Sequence, residues 1–389
     1  MKSGSFFIIL MAAFSAMLGL GAISPFLPEL AKEHGANGFW LGMIFAGFGI
    51  SRSIVVPIVG KYADAVGRKT FVSAGLFLYT IIALTYPMTD DILTLTIVRL
   101  VHGLAVGMII PVLMVYIGDF AEKGRAGIST SSLNMMFYLG LAAGPLVGGY
   151  VGYHYGFDSV FYLMSLLGGI TFIIVIFLLP ESAPVEEEKK EEKEKITVAS
   201  LLKYDLIKVV LVAAVLVTLM TVTFIAFVPS LADKIKMDPN HIGIILSVGI
   251  LFAGLLQIPM GRIAEKLDKI GKMIQIGTGT SISMFSLFVM PFCPDFRALL
   301  LAGSILGLGI SISTSALLNI SVDIGKKAGM SMWMSIYYTA INVGVIITPL
   351  LAGIIMDHLG IDVVFYLFGL LGLFFVLGGV HYIRSRVLV

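Results

Sequence analysis

Charge and cysteine are both scarce in this sequence, and each scarcity removes a class of protein. Asp, Glu, Lys and Arg make up only 13% of 389 residues, against 58% apolar residues and a mean hydropathy of +1.00. A soluble chain of this length could not cover its surface with so few charges, so the composition is that of an integral membrane protein. Cys293 is the only cysteine, which excludes an intrachain disulfide and any cysteine-based metal site. Six scattered histidines supply no constellation of nucleophile or metal ligands, so neither an enzyme nor a metal site is expected. No G-x-x-x-x-G-K-[ST] loop occurs, which argues against direct ATP drive. The apolar runs lack the polar rings of a channel pore. They also lack interior Asp and Glu, which a site specialised for cations would normally use.

What is present is a series of long apolar runs. About twelve segments suffice to cross a bilayer, near 6–28, 40–59, 70–89, 93–116, 128–151, 160–179, 208–229, 242–260, 272–292, 298–321, 329–353 and 363–382. In lipid every backbone polar group must be satisfied internally, so runs this long are helices. The run from Phe6 continues past any plausible signal-peptide cleavage point and reads as the first span.

Basic residues sort by side. Lys61, Arg68, Lys69, Lys123, Arg125, Arg262, Lys266, Lys269, Lys272, Lys326 and Lys327 fall in alternate links, with Lys2, Arg384 and Arg386 on the same side. The opposite links hold only Lys32, Lys234, Lys236 and Arg297. The positive-inside rule then makes both termini cytoplasmic, in a multi-pass protein of the cell membrane. The mixed-charge tract Glu186–Lys195 reads as a solvated linker. It divides the chain into an N-terminal six-helix bundle (1–180), a linker (181–207) and a C-terminal six-helix bundle (208–389).

The two halves are related. Gly156-Phe157-Asp158-Ser159-Val160-Phe161-Tyr162-Leu163 recurs 204 positions later as Gly360-Ile361-Asp362-Val363-Val364-Phe365-Tyr366-Leu367. The same shift carries Pro25 to Pro229, Asp119 to Asp323, Lys123 to Lys327 and Pro145 to Pro349. The fold class expected is therefore all-α integral membrane, twelve helices in two pseudo-symmetric six-helix bundles. Repeats of this kind are typical of transporters, which bind substrate near the midplane between repeats, although channels and membrane enzymes are duplicated too.

The link Gly60–Thr70, short, charged and punctuated by glycine, forces two spans side by side and reads as a sharp turn. Asp64 suits a neighbouring helix N-terminus, and Arg68 can pair with Asp119 at the end of the fourth span. In the fifth span Gly140, Gly144 and Gly148 share one face, Pro145 removes a backbone hydrogen bond, and Gly149 follows. This face fits either a hinge and seal or plain close packing.

These segments resemble the major facilitator superfamily, and within it the twelve-span drug:proton antiporters. The resemblance rests on Gly60, Asp64, Gly67, Arg68 and Lys69 in the link, Arg99 and Gly103 in the fourth span, and Gly140, Gly144, Pro145, Gly148 and Gly149 in the fifth. It implies a secondary active transporter that exports amphipathic or hydrophobic small molecules by alternating access. The proton gradient supplies the energy and no cofactor is used. A lipid or glycolipid flippase and a sugar or amino-acid exporter are the rival readings within this fold. The expected partners are a small-molecule substrate, protons and the bilayer, with no nucleic acid and a monomeric protein. The resemblance also implies a conformational latch at Gly60, Asp64, Gly67, Arg68 and Asp119, against the simpler reading of a topology anchor.

Arg99 lies two turns inside the fourth span, and a charge there is costly enough to mark a functional site. His102 follows on the same face, and its ordinary pKa of about 6.5 suits proton transfer. Glu29, at the outer end of the first span, is the acid that could offset Arg99. The alternative is that Arg99 bonds backbone carbonyls of the first span while His102 only packs. Asn134, Tyr138, Phe224, Phe227, Gln257 and Asn342 are candidates for lining the substrate cavity.

Overall fold

The computed structural model describes residues 3–119, 126–181, 205–328 and 330–372; the side chains of 3, 64–66, 117–119, 126–131, 326–328 and 330–332 are not part of the description. The expected linker therefore falls almost wholly outside the described residues.

Helices account for nearly all of it, and no strand occurs among the described residues. In chain order they are α1 (Ser3–Ala22), α2 (Leu27–Glu33), α3 (Gly38–Val66), α4 (Arg68–Thr85), α5 (Ile92–Asp119), α6 (Ala126–Tyr155) and α7 (Phe157–Leu178). The second series is α8 (Asp205–Lys234), α9 (Pro239–Leu255), α10 (Gln257–Lys266), α11 (Lys269–Val289), α12 (Phe296–Ala328), α13 (Met330–Leu359) and α14 (Ile361–Gly372). Eleven spans among the described residues are long and apolar enough to cross a membrane, with α9 and α10 forming one of them, and α14 begins where the twelfth is expected.

Several boundaries differ from the sequence expectation, and three of them have a local reason. The first span ends at Ala22 rather than near residue 28, because Pro25 and Pro28 cannot continue its hydrogen-bond ladder and α2 starts afresh. The eighth breaks between Leu255 and Gln257, where Pro259 cannot donate to the Leu255 carbonyl. The third concerns the signature link. Residues Gly60 to Val66 are not a hairpin but the last turns of α3, and the reversal is confined to Gly67 (φ +107°). Only this glycine needs its conformational freedom; a Cβ at Gly60 would meet nothing within 4 Å. Gly156 and Gly360, repeat-related, make the same one-residue reversal at φ +88° and +90°.

The chain forms two compact units, Met1–Glu186 with Ala232–Ser247, and Glu187–Leu231 with Val248–Val389. In the first, α1 lies against α6 and α7, α5 against α3 and α4, and α4 against α7. In the second, α12 is central, contacting α10, α11 and α13. Here α11 and α12 touch through small residues: a Cβ at Gly279 would come 2.5 Å from the Gly309 carbonyl oxygen. Side-chain hydroxyls bridge the same interface, Ser283 to the Leu306 carbonyl at 3.0 Å and Ser313 to that of Ile276 at 3.1 Å. Lipid provides no hydrophobic drive between helices, so close packing and such bonds must hold them together.

Candidate functional site

Arg99 is 4% exposed and His102 fully buried, both on the inward face of α5. Aromatic rings enclose them. The Arg99 guanidinium lies 5.5 Å from the Phe45 ring centre and 5.1 Å from that of Phe48, both from α3, in cation–π geometry. The His102 ring meets Phe48 and Tyr79 edge to face at 5.5 and 5.3 Å. Tyr86, in the short turn after α4, closes the enclosure and stacks on Phe161 of α7 at 4.7 Å.

Tyr86 also carries the polar connection. Arg99 Nη1 donates to the Tyr86 hydroxyl oxygen at 3.4 Å, and that hydroxyl lies 2.9 Å from His102 Nδ1. Arginine can only donate. With Arg99 donating to its oxygen, the Tyr86 hydroxyl is free to give its hydrogen to Nδ1 of neutral His102, the arrangement that places the imidazole proton on Nε2; this tautomer is assigned rather than observed. Arg99 Nε, His102 Nε2 and the Tyr79 hydroxyl have no hydrogen-bond partner among the described residues. A proton arriving on Nδ1 would make His102 a second donor facing Tyr86 and force the hydroxyl hydrogen to turn away. One hydroxyl thus joins Arg99 to His102.

Glu29 does not join this cluster. It sits exposed on α2, and its carboxyl is pushed above the usual range by partial burial first, then by Glu33 and Asp233. Neighbouring Lys32 pairs with Asp233 at 2.7 Å. Arg99 bonds the Tyr86 hydroxyl rather than carbonyls of α1.

The fifth-span glycines of α6 divide into two faces. A Cβ at Gly140 would come 2.5 Å from the Phe14 carbonyl oxygen, and Cβ atoms at Gly144 and Gly148 would collide with the carbonyls of Leu18 and Ala22. The four-residue spacing on α6 thus matches successive turns of α1. Gly149 faces elsewhere, with its Cβ position 2.7 Å from the Pro239 carbonyl oxygen, and the Pro145 carbonyl abuts Gly243.

Of the latch residues, Gly67 makes the reversal and Arg68 is buried at the start of α4. The side chains of Asp64 and Asp119 lie outside the described residues. Their neighbourhood contains a residue that sequence reasoning missed: Glu181 accepts from the Lys69 backbone N–H at 3.1 Å and from the Tyr116 hydroxyl at 3.4 Å. A carboxylate at the positive end of α4 is favoured by the helix dipole. The repeat-related pair of the second unit is formed. Lys272 and Asp323, 204 positions beyond Arg68 and Asp119, meet at 2.6 Å and tie α11 to α12. The shift already used for Asp119 would have found it.

The substrate candidates are scattered. Asn134 is exposed and Tyr138 half-buried on α6, and Asn342 is half-buried on α13. Phe224 and Phe227 are buried at 2% and 0% exposure, and the Phe224 ring fills the space beside Gly249. Gln257 opens α10, where its backbone carbonyl accepts from Ser315 at 3.1 Å.

The sequence pattern of the Major Facilitator Superfamily matches residues 9–227 and 209–387. The chain belongs to that superfamily. Among similar proteins, an uncharacterized MFS-type transporter of Methanocaldococcus jannaschii is 27% identical over 91% of this chain and 92% of its own. The quinolone resistance protein NorA of Staphylococcus aureus is 25% identical over 90% of this chain and 89% of its own. In fold, a bacterial homolog of the human lysosomal transporter Spinster matches with TM-score 0.85 at 12% identity, over 99% of this chain and 98% of that one. This superfamily member is thus a multi-pass membrane transporter and resembles the drug:proton antiporters within the family. Family and fold are those of transporters rather than enzymes, and a transporter implies a small-molecule substrate.

Proposed function

We propose that this transporter exports amphipathic or hydrophobic small molecules in exchange for protons, by alternating access and with no cofactor beyond the proton gradient. The observation that carries the reading is Arg99: a buried cation whose one polar partner among the described residues is a tyrosine hydroxyl shared with His102. An unneutralised charge inside a membrane is costly and is kept for function. An arriving anion or polar substrate group would meet Arg99, and the change would reach His102 through Tyr86. Proton and substrate then compete for one network. The resistance proteins among its relatives support export of drug-like compounds.

The test is transport by purified protein in proteoliposomes with an imposed pH gradient, using a quinolone or a hydrophobic cationic or neutral dye. Accumulation should require the gradient and collapse with a protonophore. Accumulation independent of the gradient would rule out proton coupling.

Both termini are assigned to the cytoplasm on the distribution of Lys and Arg. In a Cys293→Ser background, single cysteines replacing Lys190 and Lys266 should react only from the cytoplasmic side and one replacing Lys234 only from outside. Labelling of positions 190 and 234 from the same side would overturn the topology.

Asp64 is assigned to the latch because it stands one turn before the Gly67 reversal, near the α4 terminus that Glu181 occupies. Asp64→Asn should preserve expression while lowering transport severalfold and shifting the resting state inward, measured by cysteine accessibility. Unchanged transport would reduce the segment to a topology anchor.

A further inference from the structure

On the outer surface of the first unit, α4 and α7 leave a groove of about 490 Å³ lined by Lys69, Thr70, Ser73, Ala74, Phe77, Phe172 and Ile176. Its two ends differ chemically. Lys69, Thr70 and Ser73 occupy the first turns of α4, at the lysine-rich end of the spans. Ala74, Phe77, Phe172 and Ile176 continue toward the membrane interior, with the Phe77 and Phe172 rings 5.5 Å apart. Phe77 is 51% exposed and Ile176 40% exposed, so this wall stands open to the surrounding lipid.

The polar end is incompletely satisfied. Ser73 is 8% exposed, yet its hydroxyl has no hydrogen-bond partner among the described residues. Elsewhere on the same helix the Thr80 hydroxyl bonds back to the Leu76 carbonyl at 2.8 Å, as a hydroxyl in an apolar setting normally does. Lys69 gives its backbone N–H to Glu181, but its ammonium has no ion-pair partner among the described residues. The α4 N-terminus itself is taken by the Glu181 carboxylate, so an ammonium without an ion-pair partner among the described residues and two hydroxyls are what favour a phosphate here.

We propose that this groove binds an anionic phospholipid of the adjoining leaflet. Its phosphate rests on Lys69, Thr70 and Ser73, and one acyl chain lies along Ala74, Phe77, Phe172 and Ile176. The apolar continuation is what selects a lipid over a free anion. Lys69 adjoins the Gly67 reversal, so the lipid would sit against the segment assigned to the latch. The binding itself does not depend on the transport reading.

Native mass spectrometry of the delipidated protein in detergent tests the assignment, with phosphatidylglycerol, phosphatidylcholine of the same chains, and inorganic phosphate as probes. Phosphatidylglycerol should bind about fivefold more tightly than phosphatidylcholine, the effect of one lysine charge at an anionic headgroup. Inorganic phosphate should leave no adduct. Lys69→Gln should bring phosphatidylglycerol down to the phosphatidylcholine level, while Lys69→Arg retains the preference. Ala74→Phe, which fills the lower groove, should weaken both lipids. Ser73→Ala removes only the unpaired hydroxyl and should lower phosphatidylglycerol binding without moving the melting temperature. Equal phosphatidylglycerol binding by the parent and Lys69→Gln would overturn the proposal. So would equal binding of the two lipids, or phosphate adducts as abundant as the lipid's.

Discussion

Arg99→Ala is expected to make substrate binding independent of pH while pH-gradient-driven transport falls by about tenfold or more, equivalent to at least ~1.4 kcal/mol of lost coupling. The guanidinium lies between the Phe45 and Phe48 rings and donates to the Tyr86 hydroxyl, which in turn contacts His102. Removing it leaves the hydroxyl connected to His102 alone. Proton affinity then no longer depends on what occupies the arginine. Tyr86→Phe gives the sharper comparison, because it keeps the stacked ring on Phe161 and deletes only the oxygen joining the two groups. Its transport should lose pH dependence much as Arg99→Ala does, and His102→Gln should do the same. The measurements are transport against pH with a fixed gradient and substrate binding without one. A parent-like pH profile in His102→Gln would move the proton to another group. Parent-like profiles in both Tyr86→Phe and Arg99→Ala would remove the network from coupling.

Gly148→Val is expected to be among the most damaging single changes in the protein. The Cβ of any residue at 148 would overlap the Ala22 carbonyl of α1, and backbone cannot move aside as a flexible side chain can. Overpacking of this kind costs about 1–3 kcal/mol, and more when a helix must shift. The melting temperature in detergent should fall by several degrees, and yield with it. Gly60→Ala is the contrasting variant. Although Gly60 belongs to the signature, it is helical and meets nothing within 4 Å, so alanine should be neutral or stabilise by about 0.4–1 kcal/mol. Equal losses from the two substitutions would mean that α1 and α6 do not meet as described.

This contrast separates what the sequence conveys about glycine from what it does not. A glycine in a charged link between two apolar runs reads as a turn, but Gly60 continues a helix and Gly67 alone reverses the chain. Both have the same local chemistry. What distinguishes them is that α3 runs on past its apolar core, and no residue type marks that. Similarly, Gly140, Gly144 and Gly148 were legible as a close-packing face because small residues at four-residue spacing line up on a helix. Which helix they meet was not legible, since contacts between α1 and α6 join positions more than a hundred residues apart.

By itself the sequence determined the membrane class, the approximate positions of the spans, the internal repeat and the presence of a charge, Arg99, inside a span. These follow from composition, from the length a helix needs to cross lipid, and from the cost of burying a charge, all properties of the chain read locally. Only the tertiary structure decided that Tyr86 joins Arg99 to His102, that Glu29 stands apart from them and that the Phe224 ring packs beside Gly249. It also determined that Lys272 meets Asp323 and that Glu181 sits at the head of α4. Each of these is a contact between helices, set by how their faces turn toward one another, and rotation about a helix axis leaves no trace in hydropathy when nearly every residue is apolar.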